Sequence, residues 1–405
     1  MKKIICALLA VMILFAFASC GTTDSGSKDN AGKVKLGVIC LHDENSTYDK
    51  NFIDAAKAVQ KELGLTDDQL IFKTNIPEGN ECYEAAAELA DAGCNLIFAD
   101  SFGHEPYMIQ AAKEFTNVQF CHATGTNAHT EKLANFHNAF ASIYEGRYLA
   151  GIAAGMKIKE AIDTGATINN VKVTADKAKV GYVGAFPYAE VKSGYTSFFL
   201  GVRSVVPTAT MEVKYTNSWY DEALEKEAAN ALINNGCILI SQHADSLGAP
   251  TACEAAKVPN VSYNGSTASA GPNTYIVSSK INWGTYFKTI IDAVENSKEI
   301  ATDFVGTLKD DSVQVVEIND AVAAKGTKEA IDAAKAKMEA GTLHVFDTST
   351  FTVGGKKLDS YKADVDSDEK YTPDTEVVAD GYFQESKFRS APYFDLLIDG
   401  ITENK

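Results

Sequence analysis

The chain reads as an α/β protein of two lobes, each a parallel sheet flanked by helices. Three observations predict this. Its 405 residues are long for one core, because single hydrophobic cores stop growing at roughly 250–300 residues. From residue 34 onward, short apolar runs alternate with helix-patterned stretches, the signature of βαβ units and a parallel sheet. The series then occurs a second time.

The first series opens with "VKLGVIC" (34–40). Phe52, Ala55, Ala56, Val59 and Leu63 follow at the spacing of one helix face, closed by Gly64. "LIFK" (70–73), a helix near 81–92, "NLIFA" (95–99), a helix near 107–115 and "VQFC" (118–121) continue it. The second opens with "KVGYVG" (179–184) and a helix carrying Val191, Tyr195, Phe198 and Val202. "MEVKY" (211–215), a helix near 221–235, "CILIS" (237–241), a helix near 250–257 and "NVSY" (260–263) complete it. Residues recur as well as pattern. Gly93, Cys94, Leu96, Ile97, Asp100, Ser101, Gly103 and Pro106 return as Gly236, Cys237, Leu239, Ile240, Asp245, Ser246, Gly248 and Pro250. The offset of about 144 residues is too long for a solenoid and suits two domains of one fold.

The first 20 residues, "MKKIICALLAVMILFAFASC", read as an export signal: two lysines, a short apolar run, then small residues before a cysteine. Phe17-Ala18-Ser19-Cys20 reads as the processing box of a lipoprotein, with Cys20 the expected lipidated residue; a plain secretory signal with a chance cysteine is the alternative. A polar, Gly- and Ser-rich tether follows over 21–33. No other stretch approaches the ~18 apolar residues that span a bilayer. Loss of Met1 to Ser19 removes Lys2 and Lys3, leaving 35 basic residues (37 less two) against 54 acidic ones, a net charge of −19. So acidic a protein is a poor partner for nucleic acid. Of the remaining cysteines, Cys40, Cys94, Cys121 and Cys237 lie in or beside apolar runs, which favours buried free thiols.

In open α/β sheets, ligands sit beyond the carboxyl ends of the strands. "ADSFGH" (99–104) and "SQHADSLG" (241–248) are equivalent strand ends, so Phe102 in one lobe would face Gln242, His243 and Asp245 in the other. The strand at 34–40 runs into "LHDENSTYDKNF", placing His42, Asp43, Glu44, Asn45, Ser46, Tyr48 and Asp49 just before a helix. Helix capping explains Ser46 or Asp49 as well as ligand binding does; it does not explain Tyr48. Phe186 and Trp219 also follow strands. Aromatics at several strand ends suit a flat, partly apolar ligand, and interlobe packing is the plainer alternative.

Hydrolytic chemistry finds no support: GxSxG, HExxH and the Walker loop are all missing, and no cofactor motif stands in their place. His122, His129 and His137 are spaced too irregularly for a metal site. "DVDSDEKYTPDT" (364–375) starts like a calcium loop but has Glu369 where Gly is needed and Thr375 where Glu is needed, so it reads as a solvated acidic turn. His243 near Asp245 lacks a nucleophile and reads as a ligand-bonding pair.

"NSTYDKNF", "CNLIFADSFG", "YEGRYLAGIAAG" (144–155), "KVGYVGAFP", "GVRSVVP" (201–207), "SQHADS", "SKINWGTYF" (279–287) and "FRSAPYFDLLIDGI" (388–401) together carry a resemblance. The chain resembles the basic membrane protein family of ABC-transporter substrate-binding lipoproteins, which includes purine nucleoside receptors. The resemblance implies a type I periplasmic-binding-protein fold with three crossovers. It places lobe 1 at 34–138 with 274–302 and lobe 2 at 139–273 with 303–345. A C-terminal hairpin and tail, 346–405, would pack near the hinge. It also implies a monomer that delivers a purine nucleoside or nucleobase to an ABC permease and its ATPase. Tyr48 matches a base-stacking position, Asp49 stands where the family often has Asn, and Phe186 is a candidate for the opposite face. Asn264 and Ser266 replace the acidic pair that nucleoside binders often carry after "NVSY", and "QHADS" resembles a subgroup with His and Asp in that loop for which the resemblance implies bare nucleobases. Lys280 lies in the stretch that approaches the sugar, so Lys280→Ala is expected to matter only for ribosides. A ligand-sensing lipoprotein, or a receptor for a sugar or a flavin-like heterocycle, is the rival reading.

Overall fold

The computed structural model describes residues 33–365 and 372–404. The export segment, Cys20, nearly all of the tether and the centre of the acidic 364–375 stretch lie outside the described residues. Lobe 1 runs β1 (Leu36–Ile39), α1 (Thr47–Leu63), β2 (Leu70–Lys73), α2 (Asn80–Asp91), β3 (Leu96–Ala99), α3 (Glu105–Glu114), β4 (Gln119–Ala123), α4 (Ala128–Glu131) and β5 (Phe136–Ala141). The chain crosses over into α5 (Ile143–Thr164) and a small hairpin, β6 (Thr167–Ile168) with β7 (Val171–Lys172). Lobe 2 continues with β8 (Lys179–Gly184), α6 (Ala189–Val205), β9 (Thr210–Tyr215), α7 (Glu222–Asn234), β10 (Leu239–His243), α8 (Gly248–Ala256), β11 (Asn260–Tyr263) and β12 (Tyr275–Ile281). After that come α9 (Trp283–Glu295), β13 (Asp303–Gly306), β14 (Val313–Val316) and α10 (Thr327–Glu339).

The duplication is visible in the sheets. Lobe 1 has the order β2-β1-β3-β4-β5-β13, and lobe 2 has β9-β8-β10-β11-β12-β14. The sixth strand differs, for β13 joins β5 in parallel while β14 joins β12 antiparallel. Each sheet has buried central strands, as parallel sheets covered by helices require.

The lobe boundaries differ from those expected. β12 pairs in parallel with β11, with Val277 opposite Val261, so 275–281 belongs to lobe 2. Beyond it, α9 packs on α1 and β13 pairs with β5, so 283–306 belongs to lobe 1. Three crossovers result, after β5, after β12 and after β13. An apolar pattern marks a strand without saying which of two like sheets it joins, which is why sequence misplaces these two.

Helices α5 and α6 cross with their backbones almost touching. A Cβ on Gly151 would sit 2.1 Å from the Phe198 carbonyl oxygen, and one on Gly201 would sit 2.1 Å from that of Tyr148. This close approach explains the small residues of "LAGIAAG" and why α5 is buried over most of its surface. Gly151→Ala is therefore expected to lower the unfolding free energy by about 1–3 kcal/mol or more through overpacking. Denaturant unfolding checks it, and a variant as stable as the parent would contradict the packing.

The tail forms two more short hairpins, β15 (Lys362–Ala363) with β16 (Thr375–Glu376) and β17 (Val378–Ala379) with β18 (Tyr382–Phe383). It ends as β19 (Ile401–Asn404), parallel to β9, which covers an otherwise open sheet edge. On the way it touches both lobes: Ser390 donates to Asp303 of lobe 1, and Ser193 of lobe 2 donates to Glu385. Within the expected hairpin-and-tail region a single bridge, Val353 to Lys356, closes around Gly354 and Gly355. Cys40, Cys82, Cys94, Cys121, Cys237 and Cys253 are all buried free thiols.

Candidate ligand-binding cleft

The loops beyond β1, β3, β4, β8, β9, β10 and β11 converge between the lobes around a narrow cavity. Its lining is Leu41, His42, Tyr48, Asp49, Ser101, Phe102 and Thr124 from lobe 1, with Glu190, Trp219, His243, Asp245 and Tyr263 from lobe 2.

The lobe 1 wall is set by the start of α1. Ser46 is the N-cap, its Oγ accepting the Asp49 N–H at 3.2 Å. The Asp49 carboxylate in turn accepts the Ser46 hydroxyl at 2.6 Å and the His42 N–H at 2.7 Å. Burial pushes Asp49 up, but the hydrogen bonds from His42 and Ser46 outweigh it and hold the carboxylate below its usual range. Asp49 thus shapes the loop while showing one edge to the cavity. Tyr48 donates its hydroxyl to the Asp100 carbonyl at 2.7 Å and meets Phe52 edge-on at 4.9 Å, which fixes the ring.

The opposite wall belongs to lobe 2. Trp219 is braced edge-on by Phe186 at 5.0 Å, and Phe186 stacks on Tyr188 at 5.1 Å. Tyr263 lies against the His243 ring at 4.3 Å, and its hydroxyl is buried without a hydrogen-bond partner. Burial holds His243 below the usual imidazole range despite Glu190 at 3.4 Å. Burial, with Glu225, Asp49 and Glu190 nearby, raises Asp245 well above the carboxylate range. Among the described residues no Lys or Arg lines the cavity. Such a wall suits a neutral ligand with both donors and acceptors and repels an anion.

The lobes touch across this space. The Asp245 carbonyl accepts the Thr47 N–H at 2.9 Å, His42 meets Tyr220 at 5.3 Å, and Phe102 meets Tyr188 at 5.5 Å.

Six of the residues singled out from sequence come together here: Tyr48, Asp49, Phe102, Trp219, His243 and Asp245. Phe186 stands behind Trp219. Gln242 is fully buried, and its amide donates to the Ala244 and Ser246 carbonyls, shaping the loop rather than facing the cavity. Asn45 is exposed and bonds Asp43. Asn264, Ser266 and Lys280 line a separate groove beside α1. Sequence reasoning places His42 in the strand-end cluster without assigning it to the ligand, and misses Leu41, Ser101, Thr124, Glu190 and Tyr263 as cavity residues. The strand-end rule, applied evenly, reaches Tyr263, the last residue of β11, and His42 and Ser101, three residues past β1 and two past β3.

His122, His129 and His137 bond different partners, Ser101, Asp303 and Gln119. Cys40, Asp49 and Asp100 do lie within 4.8 Å of one another. Burial first, and the neighbouring carboxylates next, push the Cys40 thiol and the Asp100 carboxyl up, while the bonds from His42 and Ser46 already occupy the Asp49 carboxylate.

Glu225 supports the loop from below, its carboxylate accepting the Ser246 N–H at 3.1 Å and 3.2 Å. Burial pushes it up to about 7 from an ordinary 4.5. A raised acid contributes stability that is complete below 4.5 and lost as pH rises through 7. Glu225→Gln removes that loss. The stability of the variant relative to the parent is expected to rise by on the order of 1–3 kcal/mol between pH 4.5 and pH 8. Urea unfolding at the two pH values measures it, and equal pH dependence would contradict it.

A family model for PnrA-like ABC transporter substrate-binding proteins matches residues 37–343. A purine-binding protein of Brucella abortus (strain 2308) is 32% identical over 276 residues, 66% of this chain and 72% of the relative. An ABC transporter protein of Haloferax volcanii named for glucose binding is 33% identical over 222 residues, 55% of this chain and 51% of the relative. Among solved structures, a solute-binding protein of an ABC transporter from Conexibacter woesei superposes with a TM-score of 0.60 at 21% identity, covering 77% of this chain and 98% of that one. The chain therefore belongs to the PnrA-like family of ABC transporter substrate-binding proteins, extracytoplasmic and non-catalytic receptors with a periplasmic-binding-protein fold.

Proposed function

We propose that this receptor captures a purine, as base or nucleoside, and hands it to an ABC permease and its ATPase. The observation that carries the reading is the cavity itself. Tyr48 and Phe102 from one lobe face Trp219 and Tyr263 from the other, over a polar set that holds both donors and acceptors and no cation. A purine ring asks for stacking on its faces and for mixed hydrogen bonding along its edge. Nucleotides are disfavoured, since phosphates call for Arg or Lys. The name of the Brucella relative supports the same class.

Calorimetry against purine bases, nucleosides, riboflavin and simple sugars tests the reading. Heat at one equivalent of a purine is expected. The Haloferax relative's name makes a sugar the second reading, and tight binding of a plain sugar without response to any purine would establish it instead. The receptor acts as a monomer tethered at Cys20 by a diacylglycerol thioether, each buried methylene contributing about 0.8 kcal/mol. Cys20→Ala is expected to move the folded protein out of the membrane fraction.

A further inference from the structure

We infer that the C-terminal tail is a clasp across the hinge, holding the lobes closed through Ser390 and Asp303 from outside the ligand cavity. The inference stands apart from the purine reading and applies to any small molecule that fills the cleft. The tail lies beyond residues 37–343, the span that the family model matches. Most of it rides on lobe 2. β19 pairs with β9, and the Glu403 carboxylate accepts the hydroxyls of Tyr195 at 2.7 Å and Tyr215 at 2.6 Å. Arg203 of α6 donates to the Asp399 carbonyl at 3.0 Å, and Ser193 to the Glu385 carboxylate at 2.5 Å. The tail also has an apolar body of its own, with Phe394 stacked on Phe346 at 4.4 Å and meeting Phe383 edge-on at 4.8 Å.

One attachment reaches the other lobe. Asp303 of β13 accepts both the Ser390 N–H at 2.9 Å and the Ser390 hydroxyl at 2.8 Å, and Ser390 is fully buried. His129 of α4 lies 3.3 Å from the second Asp303 oxygen and braces the acceptor from the lobe 1 side. Burial works against the charge of Arg389, while the carboxylates of Asp364, Glu105 and Asp303 support it; Glu105 and Asp303 both belong to lobe 1. Only Ser386, Lys387, Phe388 and Arg389 separate the lobe 2 anchor at Glu385 from this contact. The three crossovers join the lobes covalently, whereas the Ser390–Asp303 contact is a link that can let go. It is made together with the Thr47–Asp245 bond across the cleft, so both belong to the closed arrangement. A hinge rotation that parts Thr47 from Asp245 swings β13 away from a tail fixed to lobe 2. The clasp therefore favours closure, and without it a ligand that needs closed lobes binds more weakly by the fraction of closure lost.

Amide hydrogen exchange of the full chain, without ligand, tests it. The Thr47 N–H is protected by its lobe 2 acceptor only while the lobes are closed, so its exchange reads the opening directly. Asp303→Ala is expected to lower Thr47 protection by about tenfold, the loss of hydrogen bonds to a charged acceptor. Ser390→Ala, which keeps its N–H, is expected to lower it by about threefold. The double variant should lose no more than Asp303→Ala, because the Ser390 hydroxyl has no acceptor once Asp303 is gone. The β19 amides paired with β9 should keep the parent's protection in all three variants. Unchanged Thr47 protection in both single variants overturns the inference, as does a Thr47 amide that already exchanges freely in the parent. An equal loss at Thr47 and β19 also overturns it, because the contact would then prop the whole fold rather than join the lobes. Should Asp303→Ala fail to fold, Ser390→Ala decides alone.

Discussion

Arg147→Ala is expected to lower the unfolding free energy by about 3–5 kcal/mol. Arg147 is fully buried beneath the lobe 2 wall. Its guanidinium donates to the Ser262 carbonyl at 2.9 Å, the Ser241 hydroxyl at 2.6 Å and the Tyr182 hydroxyl at 3.1 Å. Tyr182, Phe198 and Tyr263 present ring faces at 5.2–5.5 Å, and among the described residues no carboxylate pairs with it. The charge is held by oxygens and π faces, so truncation leaves a large void and an unpaired carbonyl together. Because Ser241 and Ser262 lie on β10 and β11, the same bonds position His243, Asp245 and Tyr263. Ligand affinity is expected to fall along with stability. Urea unfolding decides, and a loss below about 1 kcal/mol would contradict the structural role.

Tyr48→Ala is expected to weaken purine binding by about 10- to 100-fold, the equivalent of one lost base-stacking contact. Bases and nucleosides should lose alike, since the ring contacts only the purine. Tyr48→Phe keeps the face and loses only the bond to the Asp100 carbonyl, so it should retain most of the affinity. A Phe variant as weak as the Ala variant would move the role of Tyr48 from stacking to loop geometry.

The sequence revealed the duplication directly, because Asp100-Ser101 and Asp245-Ser246 end equivalent strands. The position of the site followed from the same fact, since the cleft between parallel sheets lies where strand ends face each other. What it concealed were distinctions that depend on three dimensions. Gln242 and His243 are neighbours on one strand and point opposite ways, so one shapes the loop and the other meets the cavity. Asn264 and Lys280 sit near the site in sequence pattern, yet both line the separate groove beside α1. Glu190 contributes from the first turn of α6, one turn past the strand end that attracts attention. The division of 274–306 between the lobes depends on hydrogen-bond partners that no apolar run encodes.

The chain has two tryptophans, and they divide the labour usefully. Trp283 is buried in the core of lobe 1, while Trp219 lines the cavity. Titration with a purine base, followed by tryptophan emission, reads the central claim directly. The account expects saturable quenching that levels off at one equivalent and disappears in Trp219→Phe, with no response to glucose. A purine that binds by calorimetry yet leaves the emission of Trp219 untouched would contradict it.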